Sequence, residues 1–207
     1  PTLPQIDPDF SELASLTEIN EIIGNGSTPV PRFGGKASNL ARLQQLLTGE
    51  FQQYKERGFA IPMHHYLQFM HSNTIPSSLD QRLVTYNEYL NELFAAPQFQ
   101  NECDSRFDQL TAFREFARDH GEVDPQLISE LVDRIREVFP DLDTMVRFRS
   151  SSNMEDSLEF NGAGLYESTS VCALDQIDPD DSGPSRCDHD QPSERRITRA
   201  LKKVWTS

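Results

Sequence analysis

The 207-residue sequence has few basic residues, few cysteines and no long apolar stretch. Its 19 lysines and arginines are outnumbered by 33 aspartates and glutamates, which leaves a net charge of −14 at pH 7. Such a charge repels a phosphate backbone, and because no basic stripe interrupts it, the composition argues against nucleic acid as a partner. No run approaches 18 consecutive apolar residues, so we expect no membrane span.

The sequence also shows no secretory signal, because its first residues, 1–4, form neither a basic nor an apolar segment. Its three cysteines, Cys103, Cys172 and Cys187, are widely spaced and form no CxxC pair. An odd number at this spacing argues against a disulfide framework or a structural zinc site. We therefore expect free thiols, buried at Cys103 and Cys172, and a reducing, cytoplasmic location.

The first part of the chain combines an irregular arm with one helix and one short strand. Residues 1–31 are rich in Pro, Asp and Gly and predict an irregular N-terminal arm, although Ser15 and Glu18 match a capping box that could start a short helix. A helix is predicted after Lys36, with an apolar face at i, i+3 and i+7 formed by Leu40, Leu43 and Leu47. Residues 58–62 then predict a strand that ends at a proline.

The middle of the chain predicts three amphipathic helices, because apolar residues recur there at helical spacing. Their apolar faces are Leu79, Leu83, Tyr86, Leu90 and Leu93; then Phe99, Cys103, Phe107, Leu110 and Phe113; then Leu127, Leu131, Ile135 and Val138. We interpret residues 79–139, approximately, as a helical insertion.

The last third changes character. Residues 144–149 alternate apolar and polar side chains as a half-buried strand does, and residues 164–172 have strand-like content. Residues 175–194, an acidic segment with three prolines, predict a flexible loop, and residues 195–205 predict a final helix. The expected fold class is α+β: one small mixed sheet that holds the Phe59 strand and both later strands, with helices packed on it.

Two stretches could bind an anion. Gly34, Gly35 and Lys36 fail the P-loop pattern, which needs Gly six positions before the lysine and Ser or Thr after it, where Val30 and Ala37 stand. A glycine turn that enters a helix can still bind phosphate through backbone N–H groups and the helix dipole. The alternative is a surface lysine after a turn.

The second stretch begins at Arg149, where a strand end would present a fixed fork of donors to phosphate oxygens. Ser150 and the two serines after it offer hydroxyl and backbone donors, and Gly162 and Gly164 would let the backbone approach a ligand closely. The alternative interpretation is a hairpin with a polar tip.

Five segments resemble, in the same order, motifs of the phosphoenolpyruvate synthase and pyruvate,phosphate dikinase family. FGGKASNL at residues 33–40 resembles its GGKAxNL opening, and GFAIP at 58–62 its G(I/F)xVP strand. RSSSNMEDS at 149–157 is similar to RSSxxxEDS/L, and FNGAGLYES at 160–168 to the loop that usually reads FAGQxxT. ALKKVWTS at 200–207 resembles a helix with the pattern aIkkvWaS.

This resemblance, which covers residues 33–207, implies the N-terminal part of an ATP-grasp-like nucleotide-binding domain. It implies that Lys36, Arg149, Ser150, Gly162 and Gly164 contact ATP. The family transfers the β-phosphoryl group of ATP to a histidine on a separate domain, with Mg²⁺ as a second cofactor. The acidic metal-binding segment and the phosphohistidine domain would lie beyond Ser207, so we expect no catalytic residue and no metal ligand in this fragment, which alone would be inactive.

The loop at residues 161–166 departs from the family pattern, which leaves the phosphoryl acceptor open between pyruvate, a glucan, water and another molecule. The alternative function is a non-catalytic protein-interaction module that keeps the family fold. Its working surface would be the three helices and the acidic segment at 175–194, docking on a basic partner.

Overall fold

The structure, a computed structural model, describes residues 5–153 and 166–207. Its helices are α1 Leu16–Gly24, α2 Val30–Leu46, α3 Met63–Ser72, α4 Tyr86–Ala95, α5 Pro97–Asn101, α6 Cys103–His120, α7 Pro125–Val138, α8 Ala173–Ile177 and α9 Ile197–Trp205. A 3-10 helix spans Gly49–Tyr54. The strands are β1 Ala14–Ser15, β2 Phe59–Ala60, β3 Thr74–Pro76, β4 Leu83–Thr85, β5 Val146–Arg149 and β6 Ser168–Val171.

Within the described residues, the strands form three separate two-stranded antiparallel sheets, β1–β2, β3–β4 and β5–β6. The α+β prediction is confirmed, but the single mixed sheet is wrong. Phe59 pairs with Ser15 rather than with the later strands. The β2 strand is only two residues long, because Pro62 follows closely and cannot donate to a ladder, and its partner is the segment just before α1.

Local signals predict several helices well. The capping box of Ser15 and Glu18 is present and begins α1 inside the predicted irregular arm. Helix α7 begins with Asp124 as its N-cap, and its apolar positions Leu127, Leu131 and Ile135 are buried as the periodicity predicts. The final helix is confirmed over Ile197–Trp205.

The start of the first middle helix is predicted wrongly. Helix α4 begins at Tyr86, where Thr85 and Glu88 form a second capping box. Leu79 lies in a turn and Leu83 in β4, and both are exposed. Their helical spacing is fortuitous, because the Thr85 cap ends the extended segment and fixes the helix start.

The predicted apolar face of α2 is also wrong. Leu40 and Leu43 are exposed, whereas the buried positions include Ala41 and Gln44. This face packs on α1 in a small core that contains Ile19, and small side chains let the two helices approach closely.

A larger core joins the middle helices to the last third of the chain. It contains Phe113 of α6, Leu131 of α7, Phe148 of β5, Val171 of β6 and Leu201 of α9. Helices α4, α6 and α7 therefore share one continuous core with the β5–β6 sheet, which fixes the position of the strand that carries Arg149.

The expectation of free thiols at all three cysteines is wrong, because Cys172 and Cys187 form a disulfide. Cys172 is buried as predicted, but Cys103 is free and exposed. Spacing did not reveal the pair because the bond depends on how the chain folds back after α8. The predicted cytoplasmic location therefore loses the support that free thiols gave it.

Among the described residues, none of the helices has the length and apolar character that crossing a membrane requires.

The acidic segment, residues 175–194, is bound to the rest of the fold by charged side chains. The carboxylate of Asp175 is fully buried and accepts hydrogen bonds from the backbone N–H groups of Arg186 at 2.7 Å and Arg195 at 2.6 Å. Buried Glu194 accepts from Arg196 Nε at 2.7 Å. Arginine side chains also pair with Asp178, Asp181 and Glu194, which neutralises part of the negative charge of the segment, while its predicted flexibility stays a prediction.

Candidate functional site

Gly34 interrupts α2 and sets the geometry of the site. Its φ of 77° lies in the left-handed region, and the helical path resumes after it. A Cβ atom at this position would lie 1.8 Å from the backbone oxygen of Ser151. Both the conformation and the close approach therefore require glycine here.

Hydrogen bonds join this kink to the serine run that follows β5. Gly35 N donates to Ser152 O at 2.9 Å. The hydroxyl of Ser151 accepts from Ala37 N at 2.9 Å and donates to Phe33 O at 2.6 Å. These contacts define what we call the Gly34–Ser151 junction, in which Ser151 acts as a cap for the second half of α2.

The β5–β6 sheet places the arginine of the second motif beside the junction. Along β5, Val146 and Phe148 are buried in the core, so Arg147 and Arg149 point to the exposed face. Arg149 is the last residue of the strand and is paired in register with Ser168. Only Ser150 separates it from Ser151 of the junction.

The structure thus brings together three of the five predicted site residues. Lys36 is half-buried and stands between Gly35 and Ala37, both of which bond to the serine run. Arg149 and Ser150 lead into that run from the other side. Gly162 and Gly164 lie outside the described residues.

Arg147 is a polar residue of this face that the sequence analysis did not single out. Its guanidinium donates to the hydroxyls of Ser168 at 2.7 Å and Ser170 at 3.3 Å on the neighbouring strand. The alternation of residues 144–149 contained the signal, because a period of two places Arg147 and Arg149 on the same face. The exposed face of β5–β6 therefore carries two cations and two hydroxyl residues.

The chemistry of the junction differs in one respect from the prediction. Two N–H groups of the glycine turn, those of Gly35 and Ala37, already donate to Ser152 and Ser151. The turn is consequently a rigid support rather than an open backbone cradle. The groups that could attract an anion here are the cationic side chains of Lys36 and Arg149 and the positive end of the helix dipole.

A separate acidic group has the spacing that a cation site needs. Within residues 5–153 and 166–207, ligand atoms of Asp178, Asp180 and Glu194 lie within 4.8 Å of one another. Arg196 donates to the backbone oxygens of both aspartates and to the Glu194 carboxylate. A guanidinium therefore already supplies the positive charge at this place.

Comparisons with known proteins do not identify the chain: no protein-family model, curated protein or solved structure matches it. The family resemblance thus stays a prediction from the motifs themselves.

Proposed function

We propose that this chain forms one wall of the ATP site in a phosphotransferase similar to phosphoenolpyruvate synthase and the dikinases, with an ATP-grasp-like fold. The phosphoryl group would pass to a histidine on a separate domain of the same protein. The observation that carries the proposal is the Gly34–Ser151 junction. Two motifs that suggested phosphate binding independently are in direct contact, although 114 residues separate Ala37 from Ser151.

The residues of the junction fit a polyphosphate. Lys36 supplies a compact cation at the first turn of a helical stretch, and Arg149 supplies a planar fork of donors at a strand end. The core residues Val146 and Phe148 hold β5, and the bonds of Ser151 hold the glycine turn. Catalysis of phosphoryl transfer depends on such positioning and charge neutralisation.

Bound Mg²⁺ would neutralise part of the triphosphate charge. The acidic group at Asp178, Asp180 and Glu194 does not fit the binding of Mg²⁺, because the Arg196 guanidinium already pairs with the Glu194 carboxylate. We therefore assign Mg²⁺ to no residue of the described chain. The roles we assign to the chain are the binding and orientation of phosphate oxygens by Lys36, Arg149 and Ser150.

Isothermal titration of the 207-residue chain with Mg-ATP tests this proposal. We expect weak binding, with a Kd of about a millimolar, because a single wall encloses little of the nucleotide. Arg149→Ala and Lys36→Ala should each weaken it about tenfold or abolish it, as expected for a charge-assisted hydrogen bond. Arg136→Ala, on the exposed surface of α7, is the matched control and should leave the affinity unchanged.

Conservative variants separate charge from geometry. Arg149→Lys keeps the charge and loses the planar fork, so we expect an affinity between those of the wild type and Arg149→Ala. Equal affinity of Mg-ATP for the wild type and for Arg149→Ala would refute the role of Arg149. Equal affinity for the Lys36→Ala variant as well would refute the proposed site.

A non-catalytic interaction module is the second candidate, and one observation favours it. Leu40, Leu43 and Leu46 are exposed together along α2, where a soluble helix usually carries polar residues. The acidic segment supports it less, because Arg186, Arg195 and Arg196 already bind much of that segment. A folded chain that binds no nucleotide at millimolar concentration would favour this candidate.

A further inference from the structure

A pocket of about 540 Å³ lies between α3, the loop before α7 and α9, and it belongs to no site described above. Its walls include His65, Phe69, Glu122, Asp124, Leu127 and Trp205. This volume lies in the range of small-molecule sites, which typically combine apolar walls with a few polar groups.

His65 provides an unsatisfied acceptor in the wall of this pocket. The side chain is 7% exposed, and its Nε2 lies 2.8 Å from the carbonyl oxygen of Ser11. Because a carbonyl can only accept, Nε2 carries the proton and Nδ1 of the neutral ring has a lone pair. Among the residues that the structure describes, Nδ1 has no hydrogen-bond partner and exposes less than 1 Å². Burial lowers the pKa of His65, which keeps the ring neutral.

The charges of the pocket wall favour a cation. The described lining residues include two acidic residues, Glu122 and Asp124, and no lysine or arginine. Asp124 accepts from Gln126 N at 2.9 Å and from Gln68 Nε2 at 3.4 Å. An ionised carboxylate has about four acceptor sites, so Asp124 keeps capacity for a further donor.

An aromatic wall completes the pocket. The rings of Phe69 and Trp205 have centroids 5.3 Å apart and both line the cavity. Aromatic faces attract both apolar rings and cations, and tryptophan attracts cations most strongly.

We propose that this pocket binds a small arylalkylamine, in which a short alkyl chain joins an aromatic ring to an ammonium group. The ammonium group donates to His65 Nδ1 and to the Asp124 carboxylate, while the aromatic ring packs against half-buried Trp205, which contacts the buried ring of Phe69. A neutral acceptor, a carboxylate and an aromatic face together select a donor that is both cationic and attached to an apolar group. Since Nδ1 lies within the wall, side chains must shift to admit the donor, and this predicts modest affinity.

Three related probes test the chemical class of the ligand. Phenethylamine carries the ammonium, phenethyl alcohol keeps a donor without charge, and phenylacetate keeps the ring with an anion. Trp205 is the sole tryptophan, so its emission reports binding in this pocket directly. We expect phenethylamine to quench or shift the Trp205 emission in a saturable way. Phenethyl alcohol should bind about tenfold more weakly, and phenylacetate should not bind. Equal responses to all three, or none to phenethylamine at millimolar concentration, would overturn the proposal.

Substitutions at the two proposed contacts test the geometry. His65→Gln keeps a side-chain donor near Ser11 O and replaces the ring acceptor Nδ1 by an amide oxygen at a different position, so the affinity for phenethylamine should fall about fivefold to tenfold. His64→Gln is the matched control, because His64 is adjacent, contacts Pro8 O and does not line the pocket. It should bind phenethylamine as the wild type does.

Asp124→Asn provides a second variant that protects the fold, because asparagine is an equally good N-cap for α7. It removes the charge, so binding of phenethylamine should weaken while binding of phenethyl alcohol stays unchanged. If both His65→Gln and Asp124→Asn fold and bind phenethylamine with wild-type affinity, the proposed ammonium site is refuted.

Discussion

The Gly34–Ser151 junction and the acidic segment at residues 175–194 are held together by different forces. The junction depends on small side chains and neutral hydrogen bonds, such as those of the Ser151 hydroxyl at 2.6 Å and 2.9 Å. The acidic segment depends on a disulfide and on buried carboxylates paired with arginines. Neutral short-range contacts tolerate little change in shape, whereas charged contacts tolerate shape change but require every partner to be present.

The largest effect on the free energy of unfolding should follow from Gly34→Ala, which adds one methyl group at the junction and changes no charge. The new Cβ would lie 1.8 Å from Ser151 O, and the positive φ would be strained. Overpacking and backbone strain together predict a loss of about 4 kcal/mol in the free energy of unfolding, measured by urea denaturation. Gly24→Ala is the matched control, because a Cβ there meets nothing within 4 Å. It should change the free energy of unfolding by less than about 0.5 kcal/mol, and an equal loss for both variants would contradict the close contact.

The next largest effect concerns the acidic segment. The Cys172–Cys187 disulfide joins residues 15 apart, so replacing both cysteines by alanine should lower the free energy of unfolding by about 3 kcal/mol. Cys103→Ser, at the exposed free cysteine, should have almost no effect. Dithiothreitol should destabilise the wild type and leave the double variant unchanged. If the reductant affects neither protein, the disulfide is absent in solution.

The helices and the disulfide differ in how far local sequence patterns predict them. The capping box at Ser15 and the periodicity of α7 involve residues within one or two turns, so the positions of these two helices follow from the sequence. The capping box at Thr85 is an equally local signal, but the sequence analysis missed it and placed the start of α4 wrongly. The Cys172–Cys187 bond and the burial of Asp175 depend on how distant segments fold back, which no local pattern records. The exposed Leu40 and Leu43 show the same limit, because periodicity identifies a face but does not say which neighbour covers it.

The candidate site was predictable in part for the same reason. Gly34, Lys36 and Arg149 belong to compact motifs that the sequence displays. The contact between the two motifs, through Ser151 and Ser152, could be expected only from the resemblance, because composition and periodicity say nothing about residues more than 100 positions apart. The hydrogen bonds from Gly35 N and Ala37 N to Ser152 and Ser151 were not predictable, since they depend on the distance between two loops.

A smaller effect is expected from Asp175→Ala, which removes one buried partner from the acidic segment. The N–H groups of Arg186 and Arg195 would lose their acceptor, and this predicts a loss of about 2 kcal/mol in the free energy of unfolding. Asp190→Ala, at an exposed position of the same segment, should change it by less than about 0.5 kcal/mol. Thermal or urea denaturation measures both, and equal effects would contradict the buried role of Asp175.

The smallest effect should come from salt and distinguishes the two regions most cleanly. The exposed pair of Arg199 with Asp181 at 2.6 Å should weaken in 1 M NaCl, where the Debye length falls to about 3 Å. We expect slightly faster hydrogen exchange in the acidic segment and no change at Gly35 and Ala37. Equal acceleration in both regions would remove the proposed difference in the forces that hold them.

We propose that the Gly34–Ser151 junction binds phosphate. Amide chemical-shift mapping with a non-hydrolysable Mg-ATP analogue tests this binding most directly. This measurement detects binding at millimolar affinity, which suits a single wall of a site. We expect the amide signals of Gly35, Lys36 and Ser150–Ser152 to shift together and give one Kd. Shifts confined to other parts of the chain, or none at saturating analogue, would contradict it.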